Sequence, residues 1–304
     1  MHIRNLTTPL IAVLTLMICS NAGTSQTRTP ELGGLPIQYE ELTAPQIVEA
    51  VAKSGGVCII PMGILEKHGP HLPVGTDLLS IREVALRAAK QEYAVVFPDY
   101  YCGQIFEAKH QPGAIAYSTD LIWKLLQETC DELARNGFKK IVLANGHGGN
   151  RFFTYYFCQA QLSTRRDYSV VLFVPGEDSV IARKMKALRQ TTEDGHAGES
   201  ETSEILAFRP DLVHLDHAKD ESGENLHRLD FLPFSFEGIW WYARYPNHYS
   251  GDGSYAKREL GELYFQRESG QLAKLVNSLK GEKTIEELQH HFYEDAQHPL
   301  DTKQ

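Results

Sequence analysis

Three short polar segments collect residues able to hold a divalent cation and to move protons. The first runs Glu66-Lys67-His68-Gly69-Pro70-His71-Leu72-Pro73-Val74-Gly75-Thr76-Asp77. The second is Asn145-Gly146-His147-Gly148-Gly149-Asn150, and the third is His196-Ala197-Gly198-Glu199-Ser200-Glu201-Thr202-Ser203. Glu66 and His68 stand two apart, so extended backbone sends both side chains the same way. Asp77 returns to that region after a loop stiffened by Pro70 and Pro73, and His147 arrives from a second strand end. Imidazole mixed with carboxylate suits Zn²⁺, Mn²⁺ or Fe²⁺ better than Ca²⁺, which prefers oxygen alone. The competing reading is a set of loop residues that only hydrogen-bond one another. It suffices for any single histidine, whereas four such residues converging from two strand ends favour a metal. Gly146, Gly148 and Gly149 permit a tight turn and close approach around His147. A phosphate-cradling loop would continue into Lys followed by Ser or Thr, and this one does not.

The elements that must position these segments alternate strand and helix. Residues 56–61 form a continuous apolar run, the mark of a strand covered on both faces. Leu78 to Lys90 has helical spacing, with Thr76 or Asp77 as N-cap. Further strands are expected at 94–97, 140–144 and 169–174. Helices are expected at 121–136, ended by Gly137, and at 151–162. This βαβα order predicts an α/β fold with a mostly parallel sheet and helices on both faces. Ligands of such sheets gather beyond the carboxyl ends of the strands, where the first two polar segments lie. A helix over 201–208, an irregular aromatic-rich stretch over 211–247 and a long helix over 255–279 complete the pattern. No internal repeat or linker divides the chain. The domain plan is an export signal over 1–22, a tail over 23–41, one domain over 42–280 and a polar tail over 281–304.

Composition narrows the partners. With 30 basic and 39 acidic residues the formal charge is −9, and no basic stripe exists for nucleic acid. His2 and Arg4 precede the apolar run Leu10–Cys19 and the small residues Ser20-Asn21-Ala22. This is an export-signal pattern, too short for a permanent membrane anchor, and it predicts a periplasmic or secreted protein. Cys58, Cys102, Cys130 and Cys158 fall in apolar patterns without a CxxC motif and read as small buried hydrophobes.

The three polar segments, in this order, resemble the signatures of the creatininase family. His110-Gln111-Pro112-Gly113 is similar to the family's loop before a long helix, and Gly251-Asp252-Gly253 to its entry into the last one. The resemblance runs from about Leu42 to Leu279. It implies a three-layer αβα fold, a homo-oligomer (commonly a hexamer) and two divalent metal ions per chain. It also implies hydrolysis of a non-peptide or cyclic amide C–N bond in a small-molecule substrate. Carried over by position, Glu66 and His147 bind one ion, His68 the other, and Asp77 bridges both. Creatinine-hydrolysing members place a glutamate where this chain has Gly149, which makes Glu201 the substitute ligand. They also place a glutamate at the position of Gly195, and tryptophans in a region that here, from Val170 to Glu201, has none. The resemblance therefore implies the fold and metal chemistry with a substrate other than creatinine.

Two ions bridged by a carboxylate can hold a water as hydroxide near neutral pH and polarise a carbonyl. The departing nitrogen then needs a proton, for which His196 is the candidate; the alternative is that His196 orients a carboxylate ligand. His71 and His110 read as structural or pocket-lining. Trp240, Trp241, Tyr242 and Tyr245 suit either a pocket wall or a subunit contact. Besides the small-molecule amidohydrolase, two functions stay open: a metallopeptidase trimming a short peptide, and a non-catalytic metal-binding protein on the same scaffold.

Overall fold

The structure, a computed structural model, describes residues 34–301. The export-signal reading of residues 1–22 lies outside them. Order begins ahead of the expected domain start: Leu35, Ile37 and Tyr39 pack onto the core, and the Ile37 carbonyl accepts the Val96 N–H at 2.7 Å. Helix α1 (Ala44–Ser54) opens with Pro45 in its first turn and the Gln46 side chain accepting the Thr43 N–H.

From there the alternation runs β1 (Val57–Met62), α2 (Thr76–Gln91), β2 (Val95–Val96), α3 (Thr119–Arg135), β3 (Lys140–Asn145), α4 (Arg151–Ala160) and β4 (Ser169–Leu172). The four strands form one parallel sheet in the order β2-β1-β3-β4. Because side chains alternate across a strand, β1 and β3 each feed two cores. Val57, Ile59, Val142 and Ala144 face one layer, and Cys58, Ile60, Met62, Ile141 and Leu143 face the other. The second layer is α1, α3 and α4, through Ala50, Leu126, Leu133 and Phe157. The four cysteines among the described residues, Cys58, Cys102, Cys130 and Cys158, are unpaired there, and the first three are buried.

The chain then adds α5 (Ser179–Leu188), β5 (Asp194–His196), α6 (Glu199–Phe208), α7 (Trp240–Arg244), β6 (Ser250–Gly251), α8 (Arg258–Leu279) and α9 (Thr284–Asp295). Helices α2, α6 and α8 make the first layer, with Val84, Ala88, Ala207, Phe265, Leu272 and Val276 against the sheet. The result is the expected three-layer α/β architecture. Residues 281–304, expected as a polar tail, carry α9. It is tied down where Ile285 meets the first core and the Tyr293 hydroxyl donates to the carbonyls of Gln161 and Thr164 at 2.9 and 2.8 Å.

Two features aim this frame at one place. The sheet order moves from β1 outward to β2, then back across β1 to β3, so the crossovers part between β1 and β3 and open a crevice at their carboxyl ends. Beside it, β5 and β6 form a short antiparallel ribbon that sets His196 opposite Ser250.

Candidate metal centre

Glu66 and His68 sit on the loop after β1, His147 on the loop after β3, and Asp77 in the first turn of α2. Asp77 is a residue of that turn, and the N-cap is Gly75, so the expected capping role falls away because the carboxylate turns into the crevice. The helix start can press against the strand end because residue 63 is glycine: a Cβ there would overlap the backbone of Leu78. Gly146 makes the same concession on the β3 side, where a Cβ would lie 2.9 Å from the Asp77 carbonyl oxygen.

The side chains converge in three linked groups, one of them Glu66, His196 and His248, and the other two hold the expected ligands. In the first of these two, His147 Nδ1 lies 2.9 Å from Glu66 Oε1 and 2.9 Å from Asp77 Oδ2. In the other, His68 Nε2 lies 3.0 Å from Asp77 Oδ1 and 3.8 Å from Glu201 Oε2, which is also 3.8 Å from His196 Nδ1. Within each group of Glu66, Asp77 and His147, and of His68, His196 and Glu201, the ligand atoms lie within 4.8 Å of one another. Glu66, His68, Asp77 and His147 are all buried. Glu66 Oε1 and Asp77 Oδ2 have no properly oriented hydrogen-bond donor despite the short distances to His147. Buried carboxylate oxygens left this way are costly unless a cation meets them, so the donor set fits a divalent ion.

Electrostatics point the same way. Burial opposes charge on His68, but Asp77, Glu66 and Glu201 outweigh it and lift its pKa to about 10. His147 is raised well above the usual imidazole range, burial again being overcome, here by Glu66 and Asp77. Burial likewise works against ionised Glu66, and His147 and His196 nevertheless hold it well below the usual carboxylate range. Without a metal the site draws in protons, as a cavity shaped for positive charge should.

The other predicted residues take distinct places. His196 Nε2 donates to the Lys67 carbonyl at 2.8 Å, leaving Nδ1 toward Glu201, and burial holds its pKa below the ordinary imidazole value. The Glu201 carboxylate also accepts the Ala197 N–H at 2.5 Å, so it serves the start of α6 as well as the site. Glu199 turns away. It is fully buried and accepts the Gln190 and Thr191 N–H groups at 2.8 and 2.7 Å. His71 pairs with the Thr202 hydroxyl at 2.8 Å, and burial beside His68 lowers its pKa to about 4. His110 pairs with the Pro246 carbonyl at 2.9 Å and lines the cavity.

Two groups at the site were not anticipated. His248, in left-handed backbone at φ 53°, donates from Nε2 to Glu66 Oε2 in a short hydrogen bond and accepts the Trp241 indole N–H on Nδ1 at 2.8 Å. Trp241 thus fixes the tautomer of the imidazole that orients Glu66. His248 stands just ahead of β6, and its backbone is held by Gly69 and Tyr245, contacts that leave no periodic signal in the sequence. The second is Glu107, between β2 and α3, whose Oε1 lies 3.9 Å from His147 Nε2. The adjoining His110-Gln111-Pro112-Gly113 motif was the one hint of it. Beyond the polar floor, a cavity of about 960 Å³ is walled by Phe106, Phe152, Phe236, Ile239, Trp240 and Tyr242.

Comparison with known proteins gives the family and the fold. The family model for creatininase (creatinine amidohydrolase) matches residues 40–276. The creatinine amidohydrolase of Pseudomonas putida is 30% identical over 210 residues, 64% of this chain and 80% of that protein. A 3-dehydro-scyllo-inosose hydrolase of Thermotoga maritima is 27% identical over 60% of each chain. A mycofactocin precursor peptide peptidase of Mycolicibacterium smegmatis is 31% identical over 52% of this chain and 60% of its own length. Among solved structures, a manganese creatininase superposes with a TM-score of 0.67 at 25% identity, covering 80% of this chain and 98% of the other. A zinc–zinc form of a mutant creatininase gives 0.66 at 25% identity over 81% and 98%. The chain belongs to the creatininase family of amidohydrolases.

Proposed function

We propose that this protein hydrolyses the C–N bond of a small, non-peptide or cyclic amide at a centre of two divalent ions, zinc or manganese. The observation that carries the reading is Asp77. Its two oxygens face different histidines, Oδ2 toward His147 and Oδ1 toward His68, as a bridging carboxylate must. Glu66 and His147 would complete one position; His68 and Glu201, grouped with His196, would complete the other, which Asp77 reaches beside His68. Divalent ions held there supply Lewis-acid polarisation of the amide carbonyl and acidify water at neutral pH. The chain's own groups do the rest. His248 and Trp241 hold Glu66 in register, and the His68 Nδ1–H donates to the Glu66 carbonyl at 3.2 Å, which turns Nε2 inward. His196, kept neutral by burial and anchored on the Lys67 carbonyl, releases any proton it takes up to the departing nitrogen.

A second reading is favoured by the cavity. Its volume of about 960 Å³ and aromatic walls exceed what a compact cyclic amide fills, and they suit an amide bearing an apolar arm or a short peptide. Gly149, Gly195 and the absence of Trp between Val170 and Glu201 support a substrate other than creatinine. Turnover of lactams, formamides, creatinine and short peptides by zinc- or manganese-loaded protein tests both readings. Amide hydrolysis abolished by chelation is the expected result. No hydrolysis of any of these by protein carrying two ions would leave a metal-binding protein on this scaffold. The run Leu10–Cys19 supports export to the periplasm or medium, and the family resemblance supports assembly into a homo-oligomer.

A further inference from the structure

The loop after β3 contains a tight steric arrangement that the ligand set leaves unexplained. His147 turns Nδ1 toward Glu66 and Asp77, so its other nitrogen points away from them. That atom, Nε2, is buried and has no hydrogen-bond partner. A neutral imidazole that offers Nδ1 as a ligand carries its proton on Nε2, and a buried N–H needs an acceptor. An acidic oxygen, Glu107 Oε1, lies 3.9 Å from His147 Nε2, just beyond direct hydrogen-bond distance.

Glu107 is held ready. Gln104 Nε2 donates to both of its oxygens at 3.2 and 2.9 Å, and the Gln104 backbone N–H donates to Asn150 Oδ1 at 2.8 Å. The Glu107 loop is therefore clipped to the same turn that carries His147. Gly149 keeps the way open between the two groups. A Cβ at that position would lie 2.5 Å from Glu107 Oε1 and closer still to His147 Nε2, whereas a Cβ at Gly148 would meet nothing within 4 Å.

We propose that Glu107 is a positioning residue: it accepts the Nε2–H of His147 and holds Nδ1 toward the metal, in the space that glycine at 149 leaves free. The inference rests on the reading that His147 is a metal ligand. A movement of about 1 Å brings the pair to hydrogen-bond distance. A carboxylate behind a ligating histidine fixes its tautomer and raises its basicity, and losing such a partner costs about 10–100-fold in metal affinity.

The test is zinc affinity of the full chain, measured by competition with a chromogenic chelator, alongside thermal unfolding of the metal-free protein. Glu107→Ala is expected to weaken the more affected site about 10–100-fold. Glu107→Gln, which keeps an acceptor oxygen, should recover part of the loss. Gly149→Ala, which wedges a methyl between the pair, should weaken zinc binding, while Gly148→Ala should not. A general loss of structure would instead lower the unfolding temperature of the metal-free variants and show no recovery with glutamine. Wild-type zinc affinity in Glu107→Ala, where His147→Ala loses a zinc, overturns the role of Glu107 and leaves the metal centre standing. Two zinc ions retained in His147→Ala would overturn the metal-ligand reading and this inference with it.

Discussion

At the scale of single residues, the candidate site was legible wherever chemistry was packed into a short run. Glu66, His68, Asp77 and His147 could be picked out because carboxylates and imidazoles cluster beside glycines at strand ends, and the structure groups Glu66, Asp77 and His147, with His68 joined to them through Asp77. His248 and Glu107 escaped because each stands alone in an irregular stretch and gains its meaning from a partner far away in sequence. Glu201 and Glu199 show what sequence leaves ambiguous: two acids two residues apart at one helix start, of which one faces the site and the other a backbone turn. Glu201→Gln is therefore expected to release about one metal ion per chain and nearly all activity. Glu199→Gln should keep both ions and instead lose about 1.5–3 kcal/mol of stability, since its charged hydrogen bonds hold residues 190–191. Metal analysis with thermal unfolding separates the two, and two ions with normal turnover in Glu201→Gln would remove it from the ligand set. His196 is expected to behave differently again. His196→Asn should lower kcat by about 10²–10⁴-fold with metal content unchanged, as for a proton donor. Loss of an ion in that variant would make His196 a ligand, consistent with its place beside His68 and Glu201.

Elements were legible in proportion to their length and period. β1, α2, α3, β3 and α8 carry long or doubly covered apolar patterns, and they lie within a few residues of the expected spans. β5, β6 and α7 are too short for any periodicity, and α5 and α9, of ten and twelve residues, lie outside the spans expected from the sequence. The first turn of α2 is where element and site meet, because its contact with the end of β1 places Asp77 between the two histidines. Gly63→Ala would force the Leu78 backbone outward and carry Asp77 with it. The expected outcome is a loss of about 1–3 kcal/mol, the usual cost of overpacking, together with weakened metal retention. If Gly63→Ala leaves both the unfolding temperature and the metal content unchanged, the strand–helix contact does not set the position of Asp77.

For the whole molecule, a parallel sheet with a crevice at the parting of its crossovers delivers the candidate ligands from the ends of β1 and β3 and from α2 and α6 to one region. The aromatic segment over 231–242 then gives the cavity its wall. Several of its side chains are open to solvent in the single chain, among them Phe231, Phe234 and Phe236, exposed by 74%, 108% and 76%. Exposure of this kind is what a subunit contact would cover, in keeping with the proposed homo-oligomer. No helix among the described residues is long and apolar enough to cross a membrane. The central claim, two ions bridged by Asp77, is tested most directly by metal stoichiometry per chain in the wild-type protein and in Asp77→Ala. The account requires two divalent ions in the first and a sharp loss in the second, because both positions share that one carboxylate. Two ions bound equally well in Asp77→Ala would contradict it.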